Sequence, residues 1–166
     1  MTDFLADVEA AIPSLRRYAL TLTRDVDAAD DLVQDCLERA LDKRRLWRPQ
    51  GAVRAWLFAI LHNRFVSDRR RDSRRGPHGP LDGAAEPAAV DDPVAAVALS
   101  EVGRALDALS PEQRAALLLV AVEGLTYAEA AAALGVPVGT VMSRIARARR
   151  SLSRALGEGP RLAQVK

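Results

Sequence analysis

An arginine-rich segment near the C-terminus carries side chains that could bind DNA. On a helical wheel at about 100° per residue, residues 138–156 divide into an apolar side and a polar side. The polar side carries hydroxyl and guanidinium groups: Thr140, Ser143, Arg144, Arg147, Ser151 and Arg154. Arginine binds phosphates and guanine edges through planar, bidentate contacts. Because residues 130–157 contain no acid, we predict a DNA-reading helix rather than a merely solvated one, and we assign Arg149, on the apolar side, a structural role.

A second candidate surface combines aromatic and basic side chains. One face of the helical pattern between Val53 and Arg71 carries Arg54, Phe58, His62, Phe65 and Arg69. The preceding loop adds Trp47 and Arg48 among further basic residues. Aromatic rings beside arginines suit the unstacked bases and phosphates of a single strand. The alternative is that Phe58 and Phe65 are buried against the first or second helix, and for His62 alone we expect no catalytic or ligand role.

A third surface is acidic. The helical pattern between Val26 and Lys43 exposes Asp27, Asp30, Asp31, Gln34, Asp35 and Glu38. Carboxylates in the first turn stabilise the helix dipole, which accounts for Asp27 and Asp30 but not for the repulsion among the later acids. We therefore predict a docking surface for a basic protein partner, with solubility as the alternative. No Asp-x-Asp-x-Asp-Gly loop is present, so no calcium site is expected.

Charge alternates along the chain although its net value is only +2. Residues 1–42 carry −6, residues 43–80 carry +9, residues 81–115 carry −5 and residues 116–166 carry +4. Arginine supplies 22 of the 24 basic residues. A GC-rich coding bias could raise the arginine content, but it does not explain why the charges cluster.

The elements that must position these surfaces are predicted to be helices. Apolar residues recur at helical spacing almost throughout, and no convincing period-2 stretch appears. The fold class is therefore all-α, with two small helical domains joined by a flexible linker. The predicted boundaries are residues 1–75, a linker at 76–92 rich in Gly and Pro, a second domain at 93–160, and a tail at 161–166.

The second domain is predicted to contain a helix-turn-helix. Start signals stand at Asp92-Pro93, at Ser110-Pro111 and at the capping box that Thr126 opens. Gly135 and Pro137 separate a short apolar helix from the final long one, which is the layout of this motif. In that geometry Thr140, Ser143 and Arg144 should read base edges, and the later arginines should neutralise phosphates.

Composition excludes several other classes of protein. Cys36 is the single cysteine, so there is no disulfide framework, and with two histidines it cannot complete a tetrahedral zinc site. We expect no signal peptide, because the N-terminal segment is acidic. The longest uncharged run, residues 130–143, is too short to cross a bilayer. We expect a cytoplasmic protein with no membrane insertion, no cofactor, no metal and no enzymatic activity.

Three segments resemble a known family. DAADDLVQDCLERAL, RAWLFAILHNRFVSDRRR and SPEQRAALLLVAVEGLTYAEAAAALGVPVGTVMSRIARARRSL resemble, in order and spacing, the two regions of extracytoplasmic-function sigma factors. These are small two-domain bacterial transcription initiation factors. The run LRRYALTLTRDVDAADDLVQD is further similar to the general-stress branch of that family.

The resemblance implies a role for each surface. The surface that docks the clamp helices of the largest subunit of core RNA polymerase would comprise Asp30, Asp31, Leu32, Val33, Gln34 and Asp35. Recognition and opening of the −10 promoter element would fall to Trp47, Arg48, Arg54, Phe58, His62, Asn63, Arg64, Arg69 and Arg70, with Asp68 on the same helix. The −35 element would be read by the C-terminal polar side defined above.

The predicted function is that of a sigma factor that directs core polymerase to specific promoter DNA and helps to open the −10 region. Its expected partners include an anti-sigma factor, either a small soluble helical one or a membrane-anchored one. The alternatives are a sigma-mimicking protein that sequesters an anti-sigma factor and a helix-turn-helix regulator that binds duplex DNA without polymerase.

Overall fold

The computed structural model describes residues 4–47, 52–75 and 101–157, and every regular element in these ranges is helical. The N-terminal module contains α1 (Phe4–Thr23), α2 (Val26–Asp42), a short 3-10 turn (Arg44–Leu46) and α3 (Val53–Arg75). The C-terminal module contains α4 (described over 101–107), α5 (Pro111–Leu117) with its π-helical continuation (Leu118–Val122), α6 (Tyr127–Leu134) and α7 (Val138–Ala155). The all-α prediction is confirmed. Arg48, the linker at 76–92, the helix start at Asp92-Pro93 and the tail at 161–166 lie outside the described residues.

The three helices of the N-terminal module pack against one another around an apolar core. Leu15, Cys36, Leu57 and Leu61 contribute fully buried side chains to that core. The turn between α1 and α2 is closed by Arg24, whose φ of +57° lies in the left-handed region and is unusual for a residue other than glycine. The next residue, Asp25, is the N-cap of α2, and its carboxylate accepts a 2.7 Å hydrogen bond from the Ala28 amide.

The C-terminal module follows the start and stop signals of the sequence. Ser110 caps α5 by accepting a hydrogen bond from the Gln113 amide, and Thr126 and Glu129 form the expected capping box of α6. Gly135 ends α6 with a φ of +65°, a left-handed conformation that glycine adopts at little cost. A short turn then leads into α7, so the predicted helix-turn-helix layout is observed.

Arg114 ties α4 to α5 from a buried position. Its guanidinium donates hydrogen bonds of 2.9 Å to the Leu106 carbonyl, 2.9 Å to the Asp107 carbonyl and 3.1 Å to the Leu109 carbonyl. The last carbonyls of a helix have no partner within the helix, so this arginine satisfies groups that would otherwise need water. The sequence analysis gave Arg114 no role.

The two modules also contact each other. Helix α3 of the N-terminal module packs against α6 of the C-terminal module. Two sets of ion pairs accompany this packing: Glu123 with Arg17 and Arg54, and Arg24 with Asp107. The surfaces predicted from the sequence must therefore be located on a closed arrangement of the two modules.

Candidate functional site

Helix α7 separates its two sides as the sequence predicts. Val141, Ile145, Ala148 and Leu152 are buried, and they hold α7 against α5 and α6. On the predicted polar side Ser143, Arg147, Ser151 and Arg154 are exposed, whereas Thr140 and Arg144 are half-buried. The structural role expected for Arg149 is wrong, because its side chain is exposed. It follows Ala148 by about 100° on the wheel, which carries it past the edge of the buried stripe.

The arginines of α7 carry charge that is not neutralised within the protein. Among the residues that the structure describes, none of them takes part in an ion pair. Exposed guanidinium groups at helical spacing can displace the counterions that surround DNA, which is the main source of affinity for its backbone. The exposed side of α7 is therefore chemically suited to a polyanion.

Phe58 does not lie on an exposed face. Its exposed fraction is 0%, its ring meets the Tyr18 ring edge to face at 5.3 Å, and the Arg54 guanidinium lies 5.6 Å from its centroid. The expectation of an aromatic face open to bases is wrong for Phe58, and the burial alternative is correct for this residue. Burial removes the apolar surface of the Phe58 ring from water, and this lowers the free energy of the folded protein relative to a structure with the ring exposed. Phe65 is half-buried, with the Arg69 guanidinium 5.7 Å from its ring.

His62 is also turned inward. Its Nδ1 lies 3.1 Å from the Tyr18 hydroxyl oxygen, and burial lowers the pKa of His62 to about 4, with a further contribution from the positive charge of Arg144. The imidazole is therefore neutral near pH 7 and cannot add positive charge to a DNA-binding face in this arrangement. Burial likewise raises the pKa of the Tyr18 phenol, so the pair is a neutral hydrogen-bonded one.

Some of the remaining residues predicted to contact the −10 element are exposed, and one of them is held in ion pairs. Asn63, Arg69 and Arg70 are exposed on α3. The Nε atom of Arg64 lies 2.9 Å from the Asp35 carboxylate and 3.0 Å from the Asp68 carboxylate, so Arg64 joins α2 to α3. Trp47 is half-buried, and its ring centroid lies 5.3 Å from that of Phe4.

The polar residues predicted on the acidic face of α2 are largely exposed, but two apolar residues predicted to belong to the docking surface are buried. Asp30, Asp31 and Gln34 are exposed, whereas Leu32 and Val33 are only 6% exposed and belong to the core. The inclusion of Leu32 and Val33 in a docking surface is corrected accordingly, because their positions on the helix point to α1 and α3. Asp30 accepts two hydrogen bonds from Arg16, at 2.7 and 3.1 Å.

Glu123 is a functional candidate that the sequence analysis missed. Its side chain is 1% exposed, yet its carboxylate accepts hydrogen bonds from two arginines of the other module. The signal was present in the sequence, since Glu123 is the one charged residue in the run 115–125. A charged side chain that is buried with the rest of such a run requires a charged or hydrogen-bonding partner.

Two further features, a metal-binding cluster and a membrane-spanning helix, are not found in the described ranges. No group of three or more His, Cys, Asp or Glu side chains there could hold a metal ion. None of the helices in those ranges is long and apolar enough to cross a membrane.

Two family models match the chain. The model described as "Sigma2 domain of PhyR" matches residues 8–62, and the model described as "Sigma-70, region 4" matches residues 99–152. The first match covers most of α1–α3, and the second covers the helix-turn-helix with the helices that precede it.

Individual proteins are similar over most of the chain. The ECF RNA polymerase sigma factor EcfG of Rhodopseudomonas palustris is 43% identical over 94% of this chain and 87% of its own length. The ECF RNA polymerase sigma factor SigC of Mycobacterium tuberculosis is 37% identical over 89% and 80%, respectively. A chain in the co-crystal structure of the sigma factor RpoE with the anti-sigma factor NepR, from Bartonella quintana, is 31% identical with a TM-score of 0.76, covering 96% of this chain and 100% of that chain. By sequence and by fold, the chain belongs to the ECF RNA polymerase sigma factors.

Proposed function

We propose that this sigma factor brings core RNA polymerase to promoters through two separate surfaces, the polar side of α7 for the −35 element and the acidic face of α2 for polymerase. The observation that carries the proposal is the row of exposed arginines on α7 that pair with no described acid, opposite a buried apolar stripe. The proposal includes a cytoplasmic location, domain boundaries at residues 75 and 93, and no catalytic activity of the chain itself.

Helix α7 would enter the major groove with its N-terminal end. Thr140, Ser143 and Arg144 lie in its first two turns, where recognition helices reach base edges. Arg147, Ser151 and Arg154 follow, at a distance suited to the sugar-phosphate backbone. The proposal assigns base reading to the first group and phosphate contacts to the second.

The acidic face would dock core polymerase through the exposed polar residues Asp30, Asp31, Gln34 and Asp35. Asp31 is the most informative position, because it is exposed and forms no ion pair with any described residue. Asp35, by contrast, is already paired with Arg64. A basic surface on polymerase would therefore find Asp31 available without breaking an internal contact.

For the −10 element we propose the exposed residues Asn63, Arg69 and Arg70 as first contacts. Phe58 is not among them, because its ring is buried against Tyr18 within the N-terminal module. The half-buried His62 would become available only after the C-terminal module has moved away from α3. Arg48 and the rest of the loop at 48–51 remain part of the proposal, as does Trp47.

We also propose an anti-sigma partner that binds between the modules. A cleft of about 1080 Å³ is lined by both modules, with Asp31, Arg64 and Phe65 on one side and Asp107 and Arg114 on the other. The similar RpoE chain was solved together with the anti-sigma factor NepR. We expect a helical segment of a small soluble protein to bind in this cleft. A membrane-anchored anti-sigma factor is the alternative, and copurification from unstressed cells would distinguish the two.

A second candidate function is that of a sigma mimic that occupies an anti-sigma factor. The observation in its favour is the match of residues 8–62 to a domain of PhyR, which is described as an anti-anti-sigma factor in its complex with NepR. The two functions differ in one respect that can be measured, because only a sigma factor makes transcription by core polymerase start at a promoter.

Run-off transcription with purified core polymerase on genomic fragments tests the proposal. The parent protein should give discrete transcripts, and Asp31→Lys should reduce both transcript yield and retention on immobilised core polymerase. The matched control is Glu9→Lys, which reverses another exposed acid, on α1, and should behave as the parent does. Absence of transcripts with every fragment, together with tight binding of an anti-sigma factor, would favour the mimic. Equal retention of Asp31→Lys and the parent would refute docking by α2.

A further inference from the structure

We propose that Glu123 is an autoinhibitory latch: by pairing with Arg17 and Arg54 it holds the two modules closed in the free protein and keeps the α3 face away from DNA. The family assignment does not require this contact. The closed state rests on the geometry of these side chains, whereas its consequence for promoter binding rests on the proposed function.

The Glu123 carboxylate is almost completely buried, and the N-terminal module supplies the donors of its side-chain hydrogen bonds. Arg17 Nε and a second Arg17 nitrogen donate to its two oxygens at 2.8 and 2.9 Å, and Arg54 donates to one of them at 2.7 Å. The Glu123 side chain is 1% exposed, whereas Arg17 and Arg54 retain 52% and 39% exposure. Three charge-assisted hydrogen bonds compensate the desolvation of this carboxylate, and all three exist only while the modules touch. Removing either side of the pair in the closed state leaves a charge without its partner, which is strongly unfavourable.

The backbone before Glu123 is shaped in an unusual way. Helix α5 widens into the π-helical segment Leu118–Val122, and the Glu123 amide donates a 2.9 Å hydrogen bond to the Leu118 carbonyl. Short π-helical segments are uncommon and are frequent at functional sites. The wider turn changes the direction of the side chain that follows it, and here that side chain is the one that reaches the N-terminal module.

The C-terminal module acts on two positions of one face of α3. Arg54, Phe58 and His62 are spaced four residues apart and therefore share one face of the helix. Arg54 binds Glu123 of the C-terminal module, and the charge of Arg144 acts on His62 from α7. Phe58, which lies between them, is buried within the N-terminal module against Tyr18. Arg144 belongs to the proposed base-reading end of α7, and its effect on His62 indicates that this end lies near the same face.

A second ion pair between the modules is weaker. The Arg24 guanidinium lies 2.8 Å from the Asp107 carboxylate, but the two side chains are 44% and 57% exposed. Exposed pairs contribute little because water screens them. We therefore assign the closed state mainly to Glu123.

In the closed arrangement the two modules are too close together to contact both promoter elements at once. Elements centred near −10 and −35 are about 25 base pairs apart, or about 85 Å at 3.4 Å per base pair. The longest helix of the protein, α3, has 23 residues and spans about 35 Å at 1.5 Å per residue. Two modules in direct contact cannot reach both elements, so the latch must open before both are bound.

The test measures the distance between the modules in the full-length protein. Spin labels are placed at Asp42→Cys on the N-terminal module and at Ser153→Cys on the C-terminal module, two exposed positions. The native Cys36 is buried and should stay unlabelled. Pulsed electron–electron double resonance then gives the distance distribution between the two labels. The ratio of the populations at long and at short distance is the open-to-closed ratio.

Loss of the charge in Glu123→Gln should raise the open-to-closed ratio by about tenfold or more, because breaking a buried pair is strongly unfavourable. The double variant Arg17→Gln/Arg54→Gln should raise it further, since it leaves Glu123 buried and unpaired. The matched control Arg16→Gln removes an exposed ion pair within the N-terminal module and should leave the ratio unchanged.

A variant in which the charges of the ion pair are exchanged provides an independent test if one of the other variants folds poorly. Glu123→Arg combined with Arg17→Glu and Arg54→Glu should restore the short distance that Glu123→Arg alone abolishes. Unchanged distances in both Glu123→Gln and the double-arginine variant would overturn the latch, as would an equal increase in the Arg16→Gln control. The distances are measured without polymerase or DNA, so a failure of the promoter assays would leave the latch standing, and a failure of the latch would leave promoter recognition standing.

Discussion

The imidazole of His62 should make the stability of the protein depend on pH between about 6.5 and 4. Burial lowers the pKa of His62 from 6.5 to about 4. Between these values the unfolded chain binds a proton that the folded protein does not accept, so protonation stabilises the unfolded state. The stability that the neutral imidazole provides is therefore fully present above about pH 6.5 and is lost as the pH falls towards 4.

The size of this effect follows from the pKa difference. One bound proton changes the free energy of unfolding by about 1.4 kcal/mol per pH unit. A histidine with a folded pKa of about 4 should cost the protein about 2 kcal/mol of stability between pH 7.5 and pH 5. The groups that act on His62 are Tyr18 through its hydroxyl, Arg144, which lowers the pKa of His62, and Glu112, which raises it.

Urea unfolding of the parent and of His62→Gln at pH 7.5, 6.5, 5.5 and 5.0 measures the effect. The glutamine can still hydrogen bond with Tyr18 but does not titrate, and the carboxylates contribute equally to both proteins, so the difference between the two pH profiles isolates His62. A proton NMR titration of the imidazole provides a direct value. Parallel pH profiles, or an imidazole that titrates near 6.5 in the folded protein, would refute the burial argument.

Three further outcomes are expected from the same structure. Arg144→Ala should cost about 1–3 kcal/mol of binding free energy to a cognate −35 duplex and flatten the preference at one or two base pairs. Arg154→Ala, about 15 Å along α7, should weaken binding to all sequences alike and lower the slope of log affinity against log salt concentration by about one. Full-length protein and single-substitution duplexes at two salt concentrations separate these results, and identical selectivity of Arg144→Ala and the parent would count against base reading. Arg114→Met should destabilise the protein by about 3 kcal/mol or more, because three carbonyls near the end of α4 lose a charged donor. Urea unfolding measures this loss, with Arg104→Met at an exposed position of α4 as the control. Equal unfolding midpoints for Arg114→Met and Arg104→Met would contradict the prediction. Burial raises the pKa of the Cys36 thiol to about 12, so iodoacetamide at pH 8 should modify it only after unfolding, and rapid labelling of the native protein would show that the core is more open than described.

Helix positions and the course of α7 could be predicted from the sequence because both depend on local signals. Thr126 with Glu129, and Gly135 after them, determine the ends of α6 through hydrogen bonds and backbone conformation within a few residues. The burial of Phe58 could not be predicted in the same way. An aromatic residue beside arginines has the same local pattern on an exposed face as beneath a neighbouring helix, and only the packing of the elements around it distinguishes the two.

Long-range pairing is also the reason why Glu123 escaped prediction. Its partners precede it by 106 and 69 residues, and no periodicity links them. The same limit applies to Arg114, whose three acceptors are backbone carbonyls that every residue carries. The sequence shows where a charge occurs within an apolar run, but the fold determines what compensates it.

The composition of α6 explains how the two modules can touch without fusing into one permanent core. Its buried residues are Ala130, Ala131, Ala133 and Leu134, and it packs against both α7 and α3. Alanine removes little apolar area from water, and hydrophobic stabilisation scales with that area. The N-terminal module, in contrast, is held by the large side chains of Leu15, Tyr18, Leu57 and Phe58. A contact with small apolar side chains and a buried ion pair is specific for one arrangement, yet it loses little hydrophobic free energy when it opens, and this is the property that a reversible latch requires.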